Sequence, residues 1–284
     1  MTQARPLELV RQAQAGGYAV DAFNMHNRET TQALILAAQQ ADAPVFLQIG
    51  RAIVPHLGLA EAYRMTRREQ ERLGSDAPVH LDHGTYEEVI EAIRLGFDSI
   101  MFDGSHLSFE ENIVATKRVV DLAHEFGIPV EAELGSIPDA AESISWEEHY
   151  TKVDEAERFV KETGVDLLAI SAGVMHGITA IEPQPLDVER ISKIRDVTGV
   201  PLVLHGASGV PVDQLKGAVA SGVHKLNADT DLRHAFRRGI EEVWATGDQQ
   251  LETAMDEGRR LMIEATIGKM HEYGCAGKAG RAAA

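Results

Sequence analysis

Eight short apolar, β-branched runs recur along the chain: YAVDAFNM (18–25), PVFLQIG (44–50), PVHLDHG (78–84), DSIMFDG (98–104), PVEAELG (129–135), DLLAISAG (166–173), PLVLHGASG (201–209) and GVHKLNAD (222–229). Most are bounded by Gly, Pro or Asp, and amphipathic stretches such as YEEVIEAIRLG and FEENIVATKRVVDLAHEFG lie between them. Strands that are apolar nearly throughout need cover on both faces, which a parallel sheet with a helix after each strand provides. Eight such units predict a closed (β/α)8 TIM barrel. An open doubly wound sheet fits less well: no G-x-G-x-x-G follows the first run and nothing divides the chain into halves. The 284 residues suffice for one barrel domain over 1–284. Within it, 270–284, ending GCAGKAGRAAA, is expected to be a flexible tail. Residues 136–150, SIPDAAESISWEEHY, are the longest irregular stretch after a strand, and in a barrel they would lie over the catalytic face as a lid.

Charge narrows the possible partners. A formal net charge of −17 repels phosphate polymers and anionic lipid, so neither nucleic acid nor membrane is an expected partner. A small phosphorylated ligand stays compatible where cations and backbone N–H groups cluster. Cys275 is the single cysteine, which excludes an intramolecular disulfide and a thiolate metal cluster. The first residues, MTQARPLELVRQAQAGG, read as an amphipathic helix with no apolar signal core, so a cytoplasmic protein is expected.

A barrel gathers the C-terminal ends of its strands around one mouth. Here those ends carry Asn24, Gln48, Asp82 with His83, Asp103, Glu133, Ser171, His205, and Asn227 with Asp229; His176 follows the sixth run closely. Any one of these could be a capping acid or a satisfied core histidine, but their joint placement points to chemistry. His83, His176 and His205 are three imidazoles from three strand ends, the ligand count of a catalytic Zn²⁺ site with one open position. HGASG and NADTD follow the seventh and eighth runs, where barrels bind phosphate. Gly206 permits close backbone approach there, and Ser208 and Thr230 supply hydroxyls.

The segments AFNMHN, HLDHG, GFDSIMFDGSHLSFEENI, VEAELG, MHG, LVLHGASGVP and GVHKLNADTDLR run in the order of the zinc-dependent class II ketose-bisphosphate aldolases, which the chain resembles over nearly its whole length. The resemblance implies Zn²⁺ on His83, His176 and His205, with Na⁺ or K⁺ as a further candidate cation. Asp82 would move the proton of the substrate C4 hydroxyl, and Asp103 and Glu133 would serve a displaced metal position or steady the ligands. A small sugar phosphate would bind through Asn24, Asn227 and Asp229 at its hydroxyls and through Gly177, Gly206, Ser208 and Thr230 at its ketone-side phosphate. Arg233 matches a position that meets the distal phosphate, and Arg259 lies on a helix able to reach a neighbouring subunit of a homodimer or homotetramer.

The chain also departs from the family pattern. SIPDAAES stands where a Gly-Gly pair and acids are usual, leaving Glu142 or Asp139 to shuttle the C3 proton, and Gly50-Arg51 stands where Ser is common. Arg51 suits a carboxylate or sulfonate tail. The resemblance thus implies fructose 1,6-bisphosphate cleavage to dihydroxyacetone phosphate and glyceraldehyde 3-phosphate. Tagatose 1,6-bisphosphate, another anionic ketose 1-phosphate and a non-catalytic barrel subunit are the alternatives. A metal-dependent hydrolase would need an H-x-H pair closing the first strand, which AFNMHN lacks.

Overall fold

The computed structural model describes residues 5–138, 146–175 and 185–279. Helix α1 (Arg5–Gly16) precedes β1 (Val20–Asn24), α2 (Arg28–Ala41), β2 (Val45–Ile49), α3 (Val54–Leu57), α4 (Leu59–Leu73) and β3 (Val79–Gly84). Then come α5 (Tyr86–Leu95), β4 (Ser99–Phe102), α6 (Phe109–Glu125), β5 (Val130–Leu134), α7 (Trp146–His149), α8 (Val153–Thr163) and β6 (Leu167–Ile170). The chain finishes with α9 (Val188–Thr198), β7 (Leu202–Leu204), α10 (Val212–Ser221), β8 (Val223–Ala228), α11 (Thr230–Ala245) and α12 (Leu251–Tyr273). The strands pair in parallel in sequence order and close β8 onto β1, the predicted TIM barrel.

Local chemistry sets the helix starts. Asn27 with Thr30, Thr85 with Glu88 and Ser108 with Glu111 form reciprocal capping boxes at α2, α5 and α6. Each helix therefore begins within a few residues of the strand end before it, which keeps the connections at the mouth short. Along the strands, alternation sends one set of side chains to the helices and the other into the barrel. Leu47 pairs with Val79 and Ile49 with Leu81 on the apolar side, while Gln48 and His80 are paired between them.

Residues 270–279, the described part of the expected tail, make packing contacts and hydrogen bonds. Met270, Tyr273 and Cys275 are buried, and the N–H groups of Gly277 and Ala279 donate to the carbonyls of Ala41 and Asp42, each at 2.8 Å. Small residues here let the chain lie flat against the end of α2. Residues 280–284 lie outside the described residues.

Under this segment, Asp21 of β1 is fully buried and takes one bond, from the Cys275 thiol at 3.1 Å. Its Oδ1 has no hydrogen-bond partner among the described residues. Burial raises its pKa to about 8, against the opposing effects of the Cys275 bond and Lys269. The folded protein therefore keeps a proton that the unfolded chain releases near pH ~4, and Asp21 erodes stability as pH rises from there to about 8. Asp21→Asn should remove that slope. Its melting temperature, followed by scanning fluorimetry, should gain steadily on the wild type from mildly acidic to mildly alkaline buffer. Parallel curves would show that Asp21 does not titrate in this window.

Candidate metal and substrate site

In a regular strand, Asp82 and His83 would point to opposite faces. At this strand end they do not. The pairing of β3 with β4 shifts register between Leu81 and Gly84, and His83 adopts φ 51°, a left-handed backbone that few side chains adopt without strain. The turn brings the imidazole round to the mouth beside the carboxylate. Adjacent residues thereby serve one site.

The ring nitrogens of His83 and His205 can be assigned from their partners, because a carboxylate only accepts. His83 Nδ1 lies 2.6 Å from Asp103 Oδ2, and His205 Nε2 lies 2.8 Å from Glu131 Oε1, so both nitrogens are donors. This leaves His83 Nε2 and His205 Nδ1 facing each other at 3.0 Å. Asn227 Nδ2, also 3.0 Å from His205 Nδ1, agrees with an acceptor at that nitrogen. Burial alone would lower the His83 pKa, but Asp82, the Asp103 bond and Glu133 outweigh it and raise it to about 9. The two imidazoles thus turn their remaining nitrogens toward one point, where a bound cation would draw on both.

The donor set fits a divalent metal. Ligand atoms of Asp82, His83 and His205 lie within 4.8 Å of one another, as do those of His83, Asp103 and Glu133. Glu133 Oε2 is a buried carboxylate oxygen with no hydrogen-bond partner among the described residues, and burial raises that acid to about 7. Asp103 is held well below the usual carboxylate range: burial opposes this, but its bonds to His83 and Ser105 prevail. His176, the third expected ligand, lies outside the described residues, as do Gly177, Glu142 and Asp139.

Asp82 is buried yet kept ionised. Burial would raise its pKa, but His83, His205, Lys225 and the bond from Asn24 Nδ2 (2.8 Å to Oδ2) lower it. Gln48 ties Asn24 to Asn227, its amide oriented to donate to Asn24 Oδ1 at 3.2 Å and accept from Asn227 Nδ2 at 3.0 Å. Gly50 leaves room for this arrangement, since a Cβ there would stand 2.8 Å from Asp82 Oδ2.

One pocket is lined by Asn24, Arg51, Asp82, His83, His205, Gly206, Ser208, Asn227, Asp229, Thr230 and Arg233, which unites most of the expected site residues. Gly206 (φ 65°) is required where it stands, because a Cβ would come within 2.4 Å of the Met175 carbonyl. The Ser208 hydroxyl accepts from the N–H groups of Asp229 and Asp231 at 3.3 and 3.4 Å, which joins the two loops. Arg259 does not join them. Its guanidinium donates to Gln32 Oε1 at 2.6 Å and pairs with Asp256 at 2.9 Å.

Two residues inside the runs had been passed over. Glu131 and Lys225, both buried, pair at 2.8 Å beneath the histidines, and Lys225 also donates to Asn227 at 3.0 Å. The available signal was alternation: VEAEL puts Glu131 on the face of Glu133, and KLN puts Lys225 on that of Asn227. His80 joins them as a neutral imidazole, its pKa well lowered by burial and by Lys225. Its Nδ1 lies 2.8 Å from Ser99 Oγ.

The model of one protein family, fructose-bisphosphate aldolase class II, matches residues 4–278. A fructose-bisphosphate aldolase of Geobacillus stearothermophilus is 38% identical over 279 residues, covering 96% of this chain and 97% of that one. A sulfofructosephosphate aldolase of Alkalicoccus urumqiensis is 36% identical over 277 residues, covering 95% and 96%. The crystal structure of the YdjI aldolase from Escherichia coli K12 superposes with a TM-score of 0.86 at 35% identity, covering 96% of this chain and 98% of that one.

The division between ligand and base can be measured. After loading with Zn²⁺, His205→Ala should lose bound metal, whereas Asp82→Ala should retain it, with metal content read by plasma mass spectrometry. Loss of metal from Asp82→Ala as well would make Asp82 a ligand.

Proposed function

The chain belongs to the class II fructose-bisphosphate aldolase family and is a carbon–carbon lyase. From that premise we propose a Zn²⁺-dependent, reversible retro-aldol cleavage of a ketose 1,6-bisphosphate, with fructose 1,6-bisphosphate as the first candidate. The products are dihydroxyacetone phosphate and glyceraldehyde 3-phosphate. The observation that carries this reading is the pair of convergent histidine nitrogens, 3.0 Å apart, beside an ionised Asp82 in a pocket floored by hydroxyls and glycine.

His83 and His205, with His176, would hold the metal. When bound, Zn²⁺ supplies the Lewis acid that polarises the substrate ketone. Ser208, Thr230 and the backbone at Gly206 and Gly177 seat the ketone-side phosphate. The Asp82 carboxylate takes the proton of the C4 hydroxyl as the C3–C4 bond breaks, so C4 becomes the aldehyde carbon. The electron pair of that bond moves toward C2, and C3 then takes a proton, for which Glu142 is the candidate donor. Arg259 acts only across a subunit boundary, in a homodimer or homotetramer.

A second reading keeps the chemistry and changes the tail. Arg51 lines the pocket with no hydrogen bond or ion pair among the described residues, which favours an anionic tail such as a sulfonate or carboxylate. The likeness to a sulfofructosephosphate aldolase supports it.

Chelation should abolish cleavage, and Zn²⁺ or Co²⁺ should restore it in a coupled assay for dihydroxyacetone phosphate. Trapping of substrate by borohydride would instead indicate a lysine Schiff base and overturn the reading. Asp82→Ala should lose about 10²–10⁴-fold in kcat. Arg51→Ala should raise KM by ~10–100-fold for a sulfonate-tailed ketose 1-phosphate if the second reading holds. Equal losses on a neutral-tailed substrate would exclude Arg51 from tail recognition.

A further inference from the structure

One side chain outside the expected set stands behind the pocket wall. His26 occupies the turn between β1 and α2, and its Nε2 lies 2.6 Å from Asp229 Oδ1. The carboxylate cannot donate, so the imidazole does. The other oxygen, Asp229 Oδ2, accepts from Arg233 Nε at 2.8 Å. Arg233 reaches Thr230 Oγ1 as well, at 3.3 Å. Both Asp229 oxygens are therefore engaged, by partners of unequal freedom. The His26 turn is pinned, because its backbone N–H donates to Thr30 Oγ1 at 2.9 Å next to the Asn27 capping box. The Arg233 side chain is 48% exposed and the His26 side chain 20%. The arginine can leave where the histidine stays.

We propose that His26 is a positioning residue that sets tail specificity. It holds Asp229 in place while Arg233 moves from Oδ2 to an anion on the substrate tail, and the vacated Oδ2 then accepts a tail hydroxyl. The exchange leaves no hydrogen-bonding group unsatisfied: the guanidinium trades a carboxylate for the tail anion, and the hydroxyl donates to the Asp229 oxygen it leaves. The ligand class that completes it carries a hydroxyl and an anionic group on neighbouring carbons. A tail with only the anion leaves Oδ2 without a donor, and a tail with only the hydroxyl finds Arg233 still in place. This inference rests on the aldolase reading above and adds the chemistry of the far end of the substrate.

The test compares kcat/KM of the metal-loaded wild type, His26→Ala and His26→Gln. The substrates are fructose 1,6-bisphosphate, fructose 1-phosphate and 5-deoxyfructose 1,6-bisphosphate. In His26→Ala, the preference for fructose 1,6-bisphosphate over each of the other two should shrink by about tenfold, mainly through KM. His26→Gln, whose amide can donate to the same oxygen, should recover most of it. Equal losses on all three substrates, or an unchanged preference, would overturn the inference while leaving the aldolase reading intact. No cleavage of any of the three by the wild type would overturn the inference together with the fructose 1,6-bisphosphate reading it rests on, and leave the second reading of the tail.

Discussion

Glu131 sits at the centre of the barrel, and the chemistry at the mouth depends on it. Its two oxygens accept from His205 Nε2 and Lys225 Nζ, each at 2.8 Å. A buried ion pair of this kind is weak evidence for stability, since desolvation offsets much of the attraction, and removing one partner costs about 3–5 kcal/mol. Its consequence here is geometric. The carboxylate dictates which nitrogen of His205 carries the hydrogen and turns the other toward His83. Lys225 passes the same constraint to Asn227, which contacts both His205 and Asp82. A hydrophobic plug at this depth would fill the barrel equally well and leave the imidazole free to rotate.

The second constraint is the break in β3. A strand can present two consecutive side chains to one face only by leaving the extended region. The chain does this at His83, a residue with a Cβ, and not at a glycine. The local strain is supported by surrounding bonds: Asp103 holds the ring from one side and Asn24 holds Asp82 from the other. The proposed metal ligand and the proposed proton acceptor thus come from a single dipeptide, with little freedom between them.

The fold was legible because eight apolar runs separated by helical stretches admit few arrangements, and the observed barrel follows them in order. Most of the mouth was legible too, because a barrel assigns every strand's last residue to one place. Glu131 and Lys225 were not seen, because reading a run as apolar discounts the polar residues within it. His26 was hidden by its company, an imidazole in a turn with no sign of a partner 203 positions away. The residues from 270 are ambiguous in sequence for another reason: small side chains suit a loose tail, and they equally suit a backbone that must lie close to its neighbours.

The two halves of the pocket differ in how they are held. On the side of the histidines, Asp82, His83, His205 and Asn227 are buried and bonded to one another or to the buried Glu131 and Lys225. A change there propagates into the barrel core. Toward the rim, Arg51 makes no ion pair among the described residues, and the half-exposed Arg233 hangs from a largely covered carboxylate, that of Asp229. Substitutions on that side disturb little beyond themselves. A scaffold divided in this way can keep one bond-breaking chemistry while its tail preference changes, consistent with similar levels of identity to proteins named for a bisphosphate and for a sulfonated sugar phosphate. In the proposed reading, tail preference falls to the few weakly tethered side chains at the rim, where core packing exerts no pull on the sequence.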